Sequence, residues 1–207
     1  MAKILFLGDS ITDMNRVREG DAGALSYGTG YVLFSMAELV KNDPKTVVIN
    51  KGISGNRITD LLARIKCDVW NFEPDVLSIH IGVNDVWHEV FGGNGVDLET
   101  YEKVYRIIIE ETKKRLPNIR IMLVEPFVEE GVHTKEKFAE FLAVKEYAKL
   151  VKNLAKEYDL TFVELQSVFD DAVKTYGVDA VIPDGVHPHV LGAKIMSEQW
   201  LKAYYSK

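Results

Sequence analysis

The segment Lys3-Ile4-Leu5-Phe6-Leu7, followed at once by Gly8-Asp9-Ser10, decides the fold class. Its four consecutive apolar side chains indicate a strand that is buried on both faces, which is typical of a parallel sheet covered by helices. The glycine and the small polar residues behind it predict a turn at the end of the strand. Polar residues in that position lie at the carboxyl edge of the sheet, where open α/β folds bind their ligands.

Further short apolar runs, rich in β-branched residues, predict the remaining strands at residues 46–50, 75–81, 119–124 and 161–165. Amphipathic segments between them predict helices at residues 30–41, 58–70, 98–116, 135–158, 167–176 and 190–205. Thr134 is expected to cap the helix at 135. The alternation predicts an α/β protein, a three-layer α/β/α sandwich with a flavodoxin-like, five-stranded parallel sheet of order 2-1-3-4-5. Residues 1–207 are expected to form one domain.

The composition is close to that of an ordinary globular protein, with 207 residues of which 47% are hydrophobic and 27% charged. A formal charge of -6, without long single-sign blocks, argues against nucleic acid or an anionic membrane as the main partner. Cys67 is the only cysteine and is expected to be a small core residue. No apolar run approaches a signal peptide or a membrane span, so a cytoplasmic location is expected.

Four turns carry residue types that one reaction requires: Gly8-Asp9-Ser10, Ser54-Gly55-Asn56, Gly82-Val83-Asn84-Asp85 and Asp184-Gly185-Val186-His187-Pro188. Nucleophilic acyl transfer needs a hydroxyl, an imidazole to take its proton, a carboxylate to hold the imidazole, and donors for the developing oxyanion. Ser10, His187 and Asp184 supply the first three groups, and Gly55 with Asn84 supply donors. Each is an ordinary turn residue alone, but their placement on one edge predicts a hydrolytic site.

Other chemistries have weaker support. The two imidazoles of His187-Pro188-His189 lack a companion metal motif, so no metal is predicted. Glycoside hydrolysis by paired carboxylates would use Asp9, Asp13 or Asp85, which are more simply turn and helix-start groups. No cofactor is predicted, since phosphate-binding and dinucleotide glycine motifs are missing. Outside enzymes, a flavodoxin-like module that binds a phosphate or cofactor near Ser10 stays the alternative.

The same turns resemble the sequence blocks of the SGNH or GDSL hydrolases, a superfamily of esterases and lipases. Gly8-Asp9-Ser10-Ile11-Thr12 is similar to the first block, although Ile11 stands where the eponymous block has leucine. Gly55 and Asn84 match the second and third blocks, and Asp184-Gly185-Val186-His187-Pro188 matches the fifth. The resemblance covers essentially the whole chain. The Gly-x-Ser-x-Gly elbow of the larger α/β-hydrolase fold is absent, which disfavours that fold.

This resemblance implies double displacement by a serine nucleophile. Ser10 would attack an ester carbonyl while His187 takes its proton and Asp184 fixes the imidazole. The oxyanion hole would consist of the Ser10 and Gly55 backbone amides and the Asn84 side-chain amide. No cofactor is implied.

A closer resemblance narrows the substrate. Gly28-Thr29-Gly30-Tyr31, the stretch 50–56, the stretch 81–87 and Pro126-Phe127 are similar to segments of acetylxylan esterases of this superfamily, which deacetylate xylo-oligosaccharides. The similarity implies a small-molecule acylated carbohydrate as substrate, acetyl as the acyl group, and a homo-oligomeric assembly. A lysophospholipase or thioesterase of the same fold is the alternative among enzymes.

Candidate substrate contacts lie in the edge loops. Trp87, Phe127 and Tyr27 could stack on sugar rings, although aromatic side chains in loops as often pack the loop itself. Sugar hydroxyls would then be bound by Arg57, Asp13 and Asp9.

Overall fold

The computed structural model describes residues 2–19 and 22–206. In that part of the chain, parallel strands form one five-stranded sheet with the order β2-β1-β3-β4-β5. The strands are β1 (Lys3–Gly8), β2 (Val47–Gly52), β3 (Val76–His80), β4 (Arg120–Val124) and β5 (Thr161–Val163). The predicted α/β class, strand order and strand positions are confirmed.

Helices link the strands and cover both faces of the sheet. They are α1 (Ser10–Asp13), α2 (Tyr31–Asn42), α3 (Ile58–Asp68), α4 (Val83–Gly92), α5 (Leu98–Arg115), α6 (Phe138–Phe141), α7 (Val144–Glu157), α8 (Gln166–Tyr176), α9 (Val178–Val181) and α10 (Val190–Tyr205). Short 3₁₀ turns lie at Gly23–Tyr27, Trp70–Phe72 and Lys135–Lys137. Helix α2 packs against α10, whereas α3, α5 and α7 pack side by side.

One face of β1 shows how the layers are joined. The Phe6 ring lies 4.7 Å from Trp200 of α10 and 5.7 Å from Tyr31 of α2. The Trp200 indole N–H donates to the Ser78 hydroxyl at 2.9 Å, and Ser78 is the register partner of Phe6 on β3. Phe6, Tyr31 and Trp200 are at most 1% exposed, so these aromatic side chains bind α2 and α10 to the sheet. Trp200 therefore closes the core.

The structure corrects several local predictions. The sequence predicts no helix between the strand at 75–81 and the helix at 98–116, but α4 covers Val83–Gly92. Its apolar residues Val83, Val86 and Val90 have helical spacing, which the turn-forming residues beside them conceal. The helix predicted at 135–158 is divided into a 3₁₀ turn, α6 and α7.

Two side-chain predictions are also wrong. The Thr134 hydroxyl does not cap a helix but donates to the Glu129 carbonyl at 2.6 Å. Cys67 is exposed rather than part of the core, because it lies on the outer side of α3.

Candidate active site

The turn after β1 presents Ser10 at the start of a short helix. Asp9 caps α1, since its Oδ1 accepts a hydrogen bond from the Ile11 amide at 3.0 Å. A side chain at Gly8 would collide with the Thr12 hydroxyl and the His80 carbonyl, so glycine is required at this position. Ser10 itself is partly exposed, which leaves its hydroxyl accessible at the carboxyl edge of the sheet.

A chain of hydrogen bonds joins Ser10 to the loop before α10. The Ser10 Oγ lies 2.7 Å from His187 Nε2, and His187 Nδ1 lies 2.6 Å from Asp184 Oδ2. The other Asp184 oxygen accepts the backbone amides of Val186, at 2.9 Å, and His187, at 2.7 Å. Both carboxylate oxygens are thus fixed, and the structure brings together the three side chains that the sequence predicts as a triad.

The pKa values of Asp184 and His187 indicate where the protons lie in these hydrogen bonds. Burial acts against ionisation of Asp184, but the His187 ring and the backbone amides of His187 and Val186 lower its pKa to about 2. The hydrogen bond that His187 donates to Asp184 raises the pKa of His187 despite the opposing effect of burial. An ionised Asp184 accepts a hydrogen bond from the Nδ1–H of neutral His187, so Nε2 is left to accept a hydrogen bond from the Ser10 hydroxyl.

The predicted oxyanion donors border the same open depression as Ser10 and His187, which has a volume of about 750 Å³. Gly55 has a φ of 82°, a conformation that favours glycine, and its α-carbon faces open space. Asn84 lies in the first turn of α4 and donates one amide hydrogen to the Asn56 carbonyl at 3.1 Å. That bond orients the amide group, and its second hydrogen is available to a ligand.

Arg64 of α3 ties the loop after β2 to the nucleophile turn. Its guanidinium donates to the Gly8 carbonyl at 3.0 Å, the Lys51 carbonyl at 2.8 Å and the Asn56 side-chain oxygen at 2.8 Å. An ion pair with Asp68 at 2.7 Å orients the guanidinium. Arg64 therefore connects the ends of β1 and β2 with the loop that carries Gly55.

The sequence pattern does not single out Arg64, because a charged residue in an amphipathic helix usually faces solvent. His88 of α4 is a similar case, since its Nε2 lies 3.1 Å from the Gly55 carbonyl. Both contacts join elements that are distant in the chain, and only the tertiary structure identifies them.

The loop after β4 holds the triad loop in place. The amides of Glu129, Val132 and His133 donate to the carbonyls of Gly185, Pro183 and Asp184, at 2.9, 2.9 and 3.2 Å. A side chain at Gly131 would collide with the Gly185 backbone, so the two loops pack with no room between them. The backbone contacts fix Asp184 and His187 relative to the sheet.

Two buried carboxyl groups lie beneath the site. Asp9 is fully buried, and burial raises its pKa to about 7 against the effects of the Ile11 amide and of a charged His187. Asp85 accepts the Ile58 amide at 3.0 Å, and burial raises its pKa well above the usual range. One oxygen of each group has no hydrogen-bond partner within the described residues. These groups organise the turns, as one of the sequence interpretations holds.

Three of the predicted substrate contacts are buried. Phe127 is 0% exposed and its ring stacks on His80 at 5.6 Å. Asp9 is likewise 0% exposed, and Asp13 is 2% exposed with its Oδ2 accepting the Ser54 amide at 3.0 Å. Phe127, Asp9 and Asp13 therefore have almost no exposed surface with which to contact a substrate.

Of the other three predicted contacts, two do not border the depression and one does. Tyr27 borders a separate depression with Lys51 and Phe72. Arg57 pairs with Asp60 at 3.1 Å and donates to the Asn94 carbonyl at 2.7 Å, so its role is to hold a loop rather than to face the depression. Trp87 is the predicted contact that borders the depression with Ser10, and Phe91, which the sequence pattern does not indicate, lies beside it.

A metal site and a membrane-spanning helix are two further features that residues 2–19 and 22–206 could contain. Within these ranges, no three His, Cys, Asp or Glu side chains are grouped so that they could hold a metal ion. Nor does this part of the chain include a helix with the length and apolar character needed to cross a membrane.

The fold and the arrangement at its edge define a class of enzyme. The sequence profile of the GDSL-like lipase/acylhydrolase family matches residues 6–195. The chain belongs to this family and is a carboxylic ester hydrolase.

Individual relatives are similar over nearly their whole length. An acetylxylan esterase from Geobacillus stearothermophilus is 39% identical over 209 residues, which cover 97% of this chain and 92% of that protein. The crystal structure of Axe2, an acetylxylan esterase from the same organism, matches with a TM-score of 0.86 and 38% identity over 100% of this chain and 95% of that one. The structure of a GDSL-like lipase candidate from Parabacteroides merdae has a TM-score of 0.91 and 39% identity, with coverage of 98% and 94%.

Proposed function

We propose that this enzyme removes acetyl groups from acetylated xylo-oligosaccharides with Ser10 as the nucleophile. The observation that carries the proposal is the hydrogen-bonded row from Ser10 Oγ through His187 to Asp184, which opens onto a depression bordered by Gly55, Asn84 and aromatic side chains. Catalytic mutants of Axe2 have been solved in which a serine, an aspartate or a histidine is replaced by alanine. The same three residue types meet here.

The first half of the reaction forms an acyl-enzyme. Ser10 Oγ attacks the acetyl carbonyl carbon while His187 Nε2 takes the hydroxyl proton. The negative charge that develops on the carbonyl oxygen is stabilised by the Ser10 and Gly55 backbone amides and the free Asn84 amide hydrogen. Collapse of the tetrahedral intermediate breaks the ester bond, and His187 gives its proton to the departing sugar oxygen.

The second half restores the serine. A water molecule attacks the acetyl-Ser10 carbonyl while His187 takes a proton from it, and the bond to Ser10 Oγ then breaks. His187 returns the proton to Ser10, and acetic acid leaves. Throughout the cycle Asp184 stays ionised, since its pKa is about 2, and it stabilises the imidazolium that forms twice.

The shape of the depression supports a small acyl group on a sugar. Trp87 and Phe91 contribute aromatic surface to its border, and Ser54, Gly55 and Asn94 contribute polar groups. Aromatic surfaces beside polar groups fit a sugar ring, which has apolar C–H faces and a polar rim. A lysophospholipase or thioesterase would need a long apolar surface next to Ser10, and the open, mixed border of this depression does not favour one.

A phosphate- or cofactor-binding module is less well supported. The amide of Ile11 at the start of α1 is already occupied by the Asp9 carboxyl group. A phosphate at this position would compete with Asp9 for that donor.

A substrate screen tests the function. Acetylated xylo-oligosaccharides and p-nitrophenyl esters from acetate to palmitate are compared, with release of the corresponding carboxylic acid followed by mass spectrometry. We expect the highest kcat/KM on acetylated sugars and a steep fall with acyl length. Preference for long-chain esters would instead favour the lipase-type alternative. Stoichiometric labelling of Ser10 by a fluorophosphonate separates a hydrolase from a binding module.

Three further expectations complete the proposal. The single domain over residues 1–207, the homo-oligomeric assembly and the cytoplasmic location stay predictions. Size-exclusion chromatography with light scattering measures the assembly directly.

A further inference from the structure

A second depression lies beside the active-site depression and has a volume of about 460 Å³. Its border consists of Trp87, Phe91, Val132, His133, Glu136 and Lys137. Trp87 and Phe91 also border the depression that contains Ser10. A ligand that extends from Ser10 across these two aromatic side chains therefore enters the second depression.

The aromatic pair between the two depressions is firmly held. Trp87 lies 4.9 Å from Phe91 and 5.2 Å from the fully buried ring of Phe141. The Lys137 ammonium lies 5.2 Å from the Phe91 ring centroid and donates to the Val90 carbonyl at 2.8 Å. A surface that is ordered before binding loses little conformational freedom when a ligand covers it.

The second depression combines apolar surface with polar groups at its border. Phe91 is 53% exposed and Val132 is 58% exposed, although both are apolar. The exposed side chains of His133 and Glu136 and the partly exposed side chain of Lys137 stand beside them. Because a pyranose ring has apolar faces and a hydroxyl rim, this combination fits a sugar, and the volume lies within the usual range of ligand pockets.

The position of this surface is fixed relative to the reacting atoms. Val132 and His133 belong to the loop after β4, and their amides donate to the Pro183 and Asp184 carbonyls of the triad loop. The backbone contacts that position His187 therefore also fix Val132, so a sugar that binds against Val132 has a defined position relative to the triad. Contact with the sugar next to the acetylated one can therefore orient the ester at Ser10.

We propose that the second depression is a binding subsite for the part of an oligosaccharide that extends beyond the acetylated sugar. This proposal rests on the proposed function. It assigns Val132 and Glu136 to substrate binding and makes an oligosaccharide, rather than a monosaccharide, the preferred carrier of the acetyl group. The kcat/KM should therefore rise with the number of sugars until both depressions are filled.

The test compares acetylated xylose with acetylated xylotriose in the wild type and in the variants Val132→Ser and Glu136→Ala. Ile107→Ser is the matched control, because Ile107 is a 44% exposed aliphatic side chain on α5. We expect Val132→Ser to lower kcat/KM on xylotriose about fivefold, mainly through KM, with a smaller loss on xylose. Glu136→Ala should also lower the ratio of kcat/KM on acetylated xylotriose to kcat/KM on acetylated xylose. Ile107→Ser should leave that ratio as in the wild type.

The outcomes separate this subsite from the proposed function. If the wild type has equal kcat/KM on acetylated xylose and acetylated xylotriose, the subsite alone is overturned. The same holds if the variants lose activity equally on both substrates. If p-nitrophenyl acetate is hydrolysed but neither acetylated sugar is, the proposed function fails and the subsite with it. Thermal unfolding of each variant shows whether a lost preference merely reflects a damaged fold.

Discussion

The triad and the aromatic border of the depression are held by different forces. Ser10, His187 and Asp184 are joined by directional hydrogen bonds of 2.6 to 2.7 Å. Trp87 and Phe91 are instead held by packing on each other and on Phe141, with ring separations of 4.9 to 5.9 Å. Because hydrogen bonds depend steeply on geometry and apolar contact scales with area, changes in the first region should cost orders of magnitude more activity than changes in the second.

The largest effect is expected from Ser10→Ala. Removal of the hydroxyl eliminates the acyl-enzyme route, so kcat should fall by about 10⁴-fold or more. Ser167→Ala, an exposed serine on α8, is the control and should retain both turnover and fluorophosphonate labelling. Near-normal esterase activity in the Ser10→Ala protein would disprove the assignment. Circular dichroism checks that the variant is folded.

Asn84→Ala tests the oxyanion donors and should have the next largest effect. Loss of one such donor typically lowers kcat by about 10²–10³ with little change in KM. Since Asn84 also donates to the Asn56 carbonyl, the free energy of unfolding is measured alongside. Asn118→Ala, at an exposed asparagine, is the control. A rise in KM at constant kcat would show that Asn84 only binds substrate.

Lowering the pH should remove activity through His187. Neutral His187 is the active form, and its hydrogen bond with Asp184 raises its pKa above the ordinary value of about 6.5. As the pH falls below that pKa, kcat/KM should drop about tenfold for each pH unit. Asp184, with a pKa of about 2, stays ionised over the same range. A kcat/KM that is flat from pH 5 to 8 would contradict a histidine base.

Asp9 is the control for that pH profile, because its pKa of about 7 lies in the same region. The inflection should persist in Asp9→Asn and move to lower pH, since a negative Asp9 contributes to the raised pKa of His187. Loss of the inflection would instead assign it to Asp9.

The two regions also differ in how far the sequence predicts them. Ser10, Gly55, Asn84, Asp184 and His187 lie in turns whose order along a parallel sheet follows from the strand pattern, so one mechanism accounts for all of them. Phe127 also lies in a loop at this edge, two residues before Glu129, which contacts the triad loop. Its ring points inward because it packs on His80 and Phe169, and the strand pattern does not reveal that packing.

Helix α4 is a second region in which the sequence does not predict which side chains are exposed. Phe91 belongs to a segment that the turn residues around Asn84 make look irregular, although it is helical. Substrate contacts depend on which face of such a helix is exposed, and that is set by tertiary packing rather than by a local motif.

Arg64→Ala should have an intermediate effect, because Arg64 positions the catalytic turns without touching substrate. Loss of its bonds to the Gly8 carbonyl and the Asn56 side chain should lower kcat about tenfold and leave KM nearly unchanged. Lys66→Ala on the same helix is the control, since Lys66 is exposed. Partial recovery of kcat in Arg64→Lys would support positioning, whereas an equal fall in stability and activity for both variants would indicate a purely structural role.

The smallest effect is expected from Trp87→Ala, which removes apolar area but no hydrogen bond of the triad. We expect kcat/KM on acetylated xylo-oligosaccharides to fall about fivefold to tenfold, and by less on p-nitrophenyl acetate, because p-nitrophenolate is a good leaving group and its ester depends less on how that group is bound. Tyr176→Ala, at a 58% exposed aromatic residue on α8, is the control. Equal losses on both esters would mean that Trp87 supports the Asn84 turn of α4 rather than binding sugar, and the division between a hydrogen-bonded catalytic region and an apolar binding region would then fail at this residue.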